Sequence, residues 1–122
     1  GDAGDVYEFV CDPAILPASH PGMGGGYVYL LTNLARHPIY CGVTNDLVRR
    51  VWEHRAGLVP NAYTGQYRLH RLVHFEVHAT MPLAIQREKN IKHWSRDWKI
   101  ALIEDANPMW RDLWDEVTKS GY

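Results

Sequence analysis

The chain has 122 residues, of which 46% are hydrophobic and 22% are charged, and its formal net charge at pH 7 is -1. This length suits one globular domain with its own core and excludes two domains of ordinary size. No apolar run reaches the roughly 18 residues of a membrane span, and two cysteines cannot form a disulfide framework, so we expect no membrane partner and a cytoplasmic location.

The first segment of the chain, residues 1–24, differs in composition from the remainder. Residues 1–22 carry four acidic residues, three prolines and no lysine or arginine, and a run of glycines follows. We therefore predict an irregular N-terminal extension over 1–24, a folded domain over 25–116 and a C-terminal tail over 117–122. The remainder holds all 13 basic residues against 10 of the 14 acidic residues, so the predicted domain is mildly cationic.

Two strand patterns follow, one from Tyr27 to Thr32 and one from Ile39 to Val43. Both are rich in aromatic and β-branched residues, and the segment between them contains asparagine and proline breakers. This pattern predicts a hairpin. Eleven positions separate Tyr29 from Tyr40, which is enough for a strand, a turn and a second strand, so the two phenols can meet side by side on a small sheet.

A helix is predicted next, because Thr44, Asn45 and Asp46 offer capping side chains. Positions i, i+3, i+4 and i+7 of this helix form one stripe, which consists of Leu47, Arg50, Val51 and His54. A guanidinium on an inward stripe is costly unless a carboxylate or phosphate pairs with it, whereas Arg49 points elsewhere and can remain in water. Arg50 is therefore the functional candidate, and a buried ion pair of Arg50 with Glu53 or Glu88 is the alternative.

Residues 68–78 alternate and predict a third strand. The pattern assigns one face to Leu69, Arg71, Val73, Phe75 and Val77, and the other face to Leu72, His74, Glu76 and His78. In a strand the two histidines stand about 13 Å apart, which is too far for one zinc ion, so a polar or partly covered sheet face is favoured.

Thr80 can cap a second helix, in which Glu88 lies along the border of the apolar face. A carboxylate at that border needs a partner, which can be a metal ion, Lys92 or a tyrosine hydroxyl. The residues at helical spacing in this segment are Leu83, Ala84, Ile91, Trp94 and Trp98. A further helix over Lys99 to Asp105 and another that begins near Pro108 are predicted, and core packing is favoured for the tryptophans over stacking on unpaired bases.

The segment from residue 68 to residue 99 is basic, with seven lysines and arginines against three acidic residues. Such a stripe can follow a phosphate backbone and make binding salt-dependent, and a solvated helix face is the alternative. Our candidates for nucleic-acid binding are Arg49, Arg71, Arg87, Lys89 and Lys92.

These motifs, in this order and spacing, resemble the GIY-YIG nuclease superfamily, in particular its small single-domain branch. The resemblance covers roughly residues 25 to 114, and the residues that carry it are Tyr27-Val28-Tyr29, Tyr40-Cys41-Gly42, Arg50, Glu88 and Ala101 to Glu104. Tyr27 stands where the family has glycine, and Cys41 stands where isoleucine or valine is usual. The resemblance implies an α+β fold with a small three-stranded β-sheet flanked by helices.

The resemblance also implies a metal-dependent DNA endonuclease that hydrolyses phosphodiester bonds. Tyr29 would help to remove a proton from the attacking water, and Tyr40 would contact the phosphate or position Tyr29. Arg50 would hold a non-bridging oxygen, and Glu88 would carry a single Mg²⁺ or Mn²⁺ ion. His54 would orient the water or the phosphate, or share the role of the base.

Substrate choice is expected to follow from the domain itself or from a protein partner, because the sequence contains no zinc-finger or helix-hairpin-helix pattern. We favour single-stranded or branched DNA, in repair or DNA uptake. The alternatives are a noncatalytic nucleic-acid-binding module with the same fold, a partner-dependent structure-specific nuclease and a protein-interaction domain. Asn107 is a further candidate for the site, or it breaks a helix.

Overall fold

The computed structural model describes residues 25–58 and 68–120 of the chain. The irregular extension that we predict for residues 1–24 lies outside these ranges. The last helix spans Trp114–Ser120 and buries Val117, so it runs past position 116, where we place the end of the domain. None of the helices in the described ranges is long and apolar enough to cross a membrane.

A three-stranded antiparallel sheet lies at the centre of the domain. Its strands are β1 (Gly26–Thr32), β2 (Tyr40–Thr44) and β3 (Arg71–His78), in the order β2-β1-β3. The helices are α1 (Leu47–Arg55), α2 (Met81–Lys92), α3 (Arg96–Ala106) and α4 (Trp114–Ser120). The predicted α+β class with a small three-stranded sheet flanked by helices is confirmed.

The pairing of β1 with β2 places both tyrosines on one face of the sheet. Tyr29 lies opposite Gly42, and Leu31 lies opposite Tyr40. Because side chains two residues apart in a strand share a face, Tyr29, Leu31 and Tyr40 point the same way. The ring centroids of the two tyrosines are 6.3 Å apart, so the predicted meeting of the two phenols is confirmed.

A β-bulge in β3 changes the faces that we predict for that strand. Leu30 of β1 pairs with His74 and Leu31 pairs with Leu72, which leaves Val73 without a partner on β1. Leu72 therefore packs with Tyr29, as Phe75 does, whereas Val73 packs on the opposite face. The prediction that Val73 shares a face with Phe75, and that Leu72 lies on the other face, is wrong. The extra residue of the bulge shifts the alternation by one position. Strand β3 also begins at Arg71 rather than at residue 68.

Helices cover both faces of the sheet. On the tyrosine face, Leu47 and Val51 of α1 and Val117 of α4 share a core cluster with Tyr29. On the other face, helix α2 contributes Ala84 and Ile91 and helix α3 contributes Ile103 to a cluster that includes Val28, Leu30, Cys41, Val43 and Trp110. The domain thus has three layers, and each face of the sheet carries its own set of buried side chains.

Local capping sets the helix boundaries. The side chains of Asp46, Thr80 and Ser95 each accept a hydrogen bond from a backbone N–H in the first turn of α1, α2 and α3. The apolar series that we predict as one helix up to Trp98 is therefore divided, because Ser95 starts a new helix. The predicted helix over Lys99 to Asp105 lies within α3.

The helix that we predict near Pro108 does not form. Instead, Asn107 stabilises a turn: its Nδ2 donates to the carbonyl oxygens of Val73 at 3.0 Å and Arg111 at 2.9 Å, and its Oδ1 accepts from the Arg111 N–H at 3.0 Å. This hydrogen bonding attaches the connection between α3 and α4 to β3. Asn107 therefore has a structural role in this turn, and the next helix begins only at Trp114.

Replacement of Gly42 by alanine tests how closely the Tyr29 ring approaches β2. A Cβ atom at position 42 would lie 2.5 Å from both Cζ and Oη of Tyr29, so Gly42→Ala is expected to lower the free energy of unfolding by about 1–3 kcal/mol. The measurement is urea unfolding of Gly42→Ala, Tyr29→Leu and the double variant. Leucine has no ring at this place, so the alanine should cost much less in the Tyr29→Leu background. Equal costs in both backgrounds would contradict the close approach.

Candidate active site

The tyrosine face carries a compact polar cluster that consists of Tyr29, Tyr40 and His54, which we call the tyrosine cluster. The Tyr29 hydroxyl oxygen lies 3.1 Å from Nε2 of His54. The centroid of the His54 ring lies 5.7 Å from that of Tyr29 and 5.4 Å from that of Tyr40. All three side chains are buried, so the structure brings these predicted site residues together in an environment that is largely shielded from water.

Helix α1 directs Arg50 and His54 inward. The buried residues of α1 are Leu47, Arg50, Val51 and His54, which is the stripe that the sequence predicts. The Arg50 side chain is 4% exposed and the Arg49 side chain is 48% exposed. The inward position of Arg50 rather than Arg49 is therefore confirmed. Arg50 Nη1 lies 3.3 Å from Oε1 of Glu53, so the ion pair with Glu53 that we considered as an alternative is also present.

His54 is held in its neutral form. Burial, and to a smaller extent the charges of Arg50 and His70, together lower its pKa from the ordinary 6.5 to about 3. Within the described ranges, Nδ1 of His54 is buried and has no hydrogen-bond partner. A neutral imidazole that accepts the Tyr29 hydroxyl proton at Nε2 carries its own proton on Nδ1. The geometry thus allows His54 to act as a base toward the phenol.

Glu88 belongs to a second cluster on the opposite face of the sheet. It lies on the same side of α2 as Ala84 and Ile91, which pack against that face. Its side chain is 4% exposed, and its Oε2 lies 2.9 Å from Nζ of Lys92, which is equally buried. Lys92 is one of the partners that the sequence leaves open for this carboxylate, and the structure contains this ion pair.

Lys99 of α3 and Cys41 of β2 complete this second group, which we call the Glu88 cluster (Cys41, Glu88, Lys92 and Lys99). Lys99 is 1% exposed. Burial raises the pKa of the Cys41 thiol, the charge of Glu88 raises it further, and the charges of Lys92 and Lys99 oppose this increase. The charges of Glu88, Lys92 and Lys99 therefore all act on the Cys41 thiol. Sequence reasoning did not identify Lys99 as part of a buried cluster, because a lysine on an amphipathic helix is usually exposed.

The donor chemistry of Glu88 limits how it could hold a metal ion. Within residues 25–58 and 68–120, no group of three or more His, Cys, Asp and Glu side chains converges in a way that could hold a metal. Mg²⁺ commonly keeps several waters and uses only one or two protein carboxylates together with substrate phosphates. A single carboxylate such as Glu88 fits this mode of binding, provided that Lys92 yields its place at Oε2.

The predicted basic stripe is not continuous in the structure. Arg87 donates to Glu76 at 2.9 Å and 3.1 Å and lies 4.9 Å from the ring centroid of Trp94, and Arg71 donates to the Trp110 carbonyl oxygen at 2.8 Å. Lys92 and Lys99 are buried, so the interpretation of residues 68–99 as one exposed stripe is wrong. Lys89 and Arg49 are exposed, as a surface contact to nucleic acid requires.

The tryptophans divide between the core and the surface. Trp110 is 3% exposed, in agreement with the packing role that we favour. Trp98 is 63% exposed and lies edge-on to Trp94, with ring centroids 5.8 Å apart. Trp98 is therefore available for stacking, which the spacing of the tryptophans did not reveal.

The histidines of β3 flank the carboxylate of Glu76. Nε2 of His74 and Nε2 of His78 lie 2.9 Å and 3.1 Å from the two carboxylate oxygens of Glu76. Burial alone would raise the pKa of Glu76, but hydrogen bonds from His74, Arg87 and His78 outweigh it and hold the pKa well below its usual range. The expected polar, partly covered sheet face is confirmed.

The low pKa of His54 predicts a pH-dependent stability. Between about pH 6.5 and pH 3 the unfolded chain binds a proton at this residue that the folded chain does not bind, so acidification through this range destabilises the fold. We expect the loss from this residue to approach about 1.4 kcal/mol per pH unit. Urea unfolding at several pH values checks this.

His54→Gln removes the titrating group and should flatten that dependence, whereas His93→Gln, at an exposed position, should leave it unchanged. The same pH slope in wild type and His54→Gln would contradict the assignment of this dependence to His54.

The buried pair of Glu88 and Lys92 predicts strong coupling between the two residues. Lys92→Met leaves the carboxylate without the ammonium group and is expected to destabilise the fold by about 3–5 kcal/mol. Addition of Glu88→Gln to that variant should recover a large part of the loss. The exposed neighbour provides the control, because Lys89→Met should change stability by less than about 0.5 kcal/mol. Additive effects in a double-mutant cycle of Glu88 and Lys92 would show that the two are not coupled.

Comparisons with known proteins identify the family of the domain. The family model of the GIY-YIG catalytic domain matches residues 25–101. The chain is 38% identical over 80 residues to a UPF0213 protein of Haloquadratum walsbyi, an alignment that covers 66% of this chain and 88% of that protein. It is 35% identical over 86 residues to a UPF0213 protein of Syntrophus aciditrophicus, covering 70% of this chain and 97% of that protein.

A UPF0213 protein of Bacillus pumilus is 37% identical over 79 residues, which covers 65% of this chain and 79% of that protein. No solved structure matches the chain. The match to the catalytic-domain model includes both strands that carry the tyrosines, helix α1 and Glu88. The chain therefore belongs to the GIY-YIG family, and its domain is of the nuclease type, as the order of its motifs predicts.

Proposed function

We propose that this protein is a divalent-metal-dependent endonuclease that hydrolyses phosphodiester bonds in DNA. The observation that carries the proposal is the 3.1 Å contact between the Tyr29 hydroxyl and a neutral His54, one helical turn from the buried Arg50. A phenol beside an uncharged imidazole can pass on a proton, and a nearby guanidinium can bind a phosphate oxygen. Phosphodiester hydrolysis requires both actions.

Four polar residues on the tyrosine face each have a role in this proposal, namely Tyr29, Tyr40, Arg50 and His54. His54 accepts the hydroxyl proton of Tyr29 at Nε2, and Tyr29 in turn takes a proton from the attacking water. Arg50 exchanges its 3.3 Å contact with Glu53 for a non-bridging phosphate oxygen. Tyr40, whose ring packs against the His54 ring, positions Tyr29 or contacts the phosphate.

Glu88 would hold Mg²⁺ or Mn²⁺ on the side of the oxygen that departs from the phosphorus. Such an ion, when bound, neutralises negative charge on the phosphate and on the departing oxygen. Lys92 keeps the buried carboxylate paired when no ion is present. Because β2 is an edge strand, a phosphate that lies along its free edge can be reached from the tyrosine face and from the face of Glu88.

We propose single-stranded or branched DNA as the substrate, with a cytoplasmic location and with a protein partner as the source of any further selectivity. Arg49 and Lys89 are exposed cations that can contact the backbone of such a strand. The second candidate is a noncatalytic nucleic-acid-binding module. It is favoured by one observation, namely that Arg50 and Glu88 already have charged partners in Glu53 and Lys92.

Cleavage of end-labelled single-stranded, duplex and branched DNA, with Mg²⁺ or Mn²⁺ and with EDTA, distinguishes the two candidates. We expect product only with metal, and a loss of about 10²-fold or more in Glu88→Gln and in Arg50→Gln, because each removes a charge that stabilises the transition state. Arg111→Gln removes an exposed arginine that pairs with Glu116, and it should cleave like wild type.

Binding by the same variants is measured in EDTA. Glu88→Gln should still bind the preferred DNA, because the proposed role of Glu88 depends on the metal. DNA binding by wild type with no product under any metal condition would contradict the nuclease and favour the noncatalytic module.

A further inference from the structure

A cavity of about 480 Å³ opens near the end of the sheet where β1 and β2 are joined. Its walls come from the loop after β1, the last residue of α1, the beginning of β3 and the segment before α4. We call it the arginine pocket, because the described residues that line it include three arginines, a histidine and one carboxylate, namely Arg55, Arg68, Arg71, His70 and Asp112. A cavity of this size is large enough for a small ligand.

The single carboxylate of the arginine pocket is already engaged within the protein. Oδ2 of Asp112 pairs with Arg55 Nη1 at 2.5 Å, and Oδ1 accepts hydrogen bonds from the backbone N–H groups of Leu72 at 3.2 Å and Trp114 at 3.1 Å. One arginine charge is thereby compensated. Asp112 acts as a structural anchor and cannot also neutralise the other cations.

The charges of Arg68 and Arg71 therefore remain for a ligand. Among the described residues, Arg71 donates to the Trp110 carbonyl oxygen, which is a neutral acceptor, and forms no ion pair that would compensate its charge. Arg68 is exposed, and it has no ion pair with any residue in the described part of the chain. Planar guanidinium groups in such a position favour oxyanions, and phosphates in particular, through bidentate hydrogen bonds.

The arginine pocket is attached to the tyrosine cluster through α1. Arg55 directly follows His54 in the chain, and its Nη1 donates to the His70 carbonyl oxygen at 3.1 Å. Leu69 and Leu72, which flank His70 and Arg71, pack in the same core cluster as Tyr29. A ligand in the arginine pocket therefore lies against helix α1 and against the hydrophobic core cluster of Leu69, Leu72 and Tyr29, and both position the Tyr29 hydroxyl.

We propose that the arginine pocket is a binding site for a backbone phosphate of the nucleic-acid strand, at a position beside the bond to be cut. Arg68 and Arg71 contact this second phosphate, and the rigid link through Arg55 keeps the strand in register with Tyr29. The proposal rests on the proposed function, because it takes the strand at the tyrosine cluster to be the substrate.

The test measures binding in EDTA, so that it does not depend on cleavage. Fluorescence anisotropy of a labelled single-stranded oligonucleotide gives the observed association constant over a range of salt concentrations for wild type, Arg68→Gln and Arg68→Gln/Arg71→Gln. Arg68→Gln should weaken binding about tenfold and reduce the slope of log association constant against log salt by about 0.7, the value for one single-strand phosphate contact. Lys119→Gln removes one exposed positive charge outside the pocket and is the matched control.

Competition distinguishes a backbone phosphate from a free or terminal one. Inorganic phosphate should compete poorly, and a 5′-phosphate on the oligonucleotide should add little affinity. Competition by millimolar inorganic phosphate that is lost in Arg68→Gln would overturn the assignment to a backbone phosphate.

An unchanged salt slope in both pocket variants would overturn the proposal, even if the protein cuts DNA. A reduced slope in a protein that yields no product would support the pocket and refute the nuclease. If Arg71→Gln unfolds because Trp110 loses its donor, Arg68→Gln alone decides the outcome.

Discussion

The close approach of the Tyr29 ring to Gly42 is the constraint on which the candidate site depends. Any side chain on Gly42 would occupy the place of the phenol, so the β1–β2 register and the position of the hydroxyl are set together. The ring extends toward α1, where His54 meets its oxygen. One cross-strand pair thus connects the sheet to the helix that carries both the imidazole and Arg50, and the loop between β2 and α1 has to supply no catalytic group.

Burial of charge on both faces of the sheet is the second organising feature. Arg50, Glu88, Lys92 and Lys99 are each at most 4% exposed. Removing ionised groups from water costs several kcal/mol for each group, and well-packed apolar residues in place of a buried pair are often neutral or stabilising. Stability alone therefore does not account for these residues in a domain of this size. Under the proposed function, reaction chemistry gives a reason for Arg50 and Glu88, since charges act more strongly where water is excluded.

Much of the fold and part of the site could be predicted from the sequence, because period and capping are local properties. The alternating strands around Tyr29 and Tyr40 and the stripe of α1 were predicted in this way. The bulge at Val73 could not be predicted, because it depends on pairing with β1. The inward direction of Lys99 was also hidden, since it requires a buried partner on another turn or strand, whereas Lys92 was foreseen as one possible partner of Glu88. The arginine pocket is formed by segments that are far apart in the sequence, so no local sequence pattern predicts it.

Arg50 links substrate binding to the strength of the proposed base. Burial, with the charges of Arg50 and His70 acting in the same direction, holds the pKa of His54 at about 3, where an imidazole is a weak base. A phosphate bound to Arg50 supplies negative charge beside the ring, which opposes the effect of the guanidinium and raises the pKa of His54. In the proposed reaction a bound substrate would therefore strengthen the base against the larger effect of burial. In the free protein the same low pKa keeps His54 neutral and able to accept the proton of Tyr29, so in the proposed reaction Arg50 acts both as a phosphate ligand and on the pKa of its neighbour.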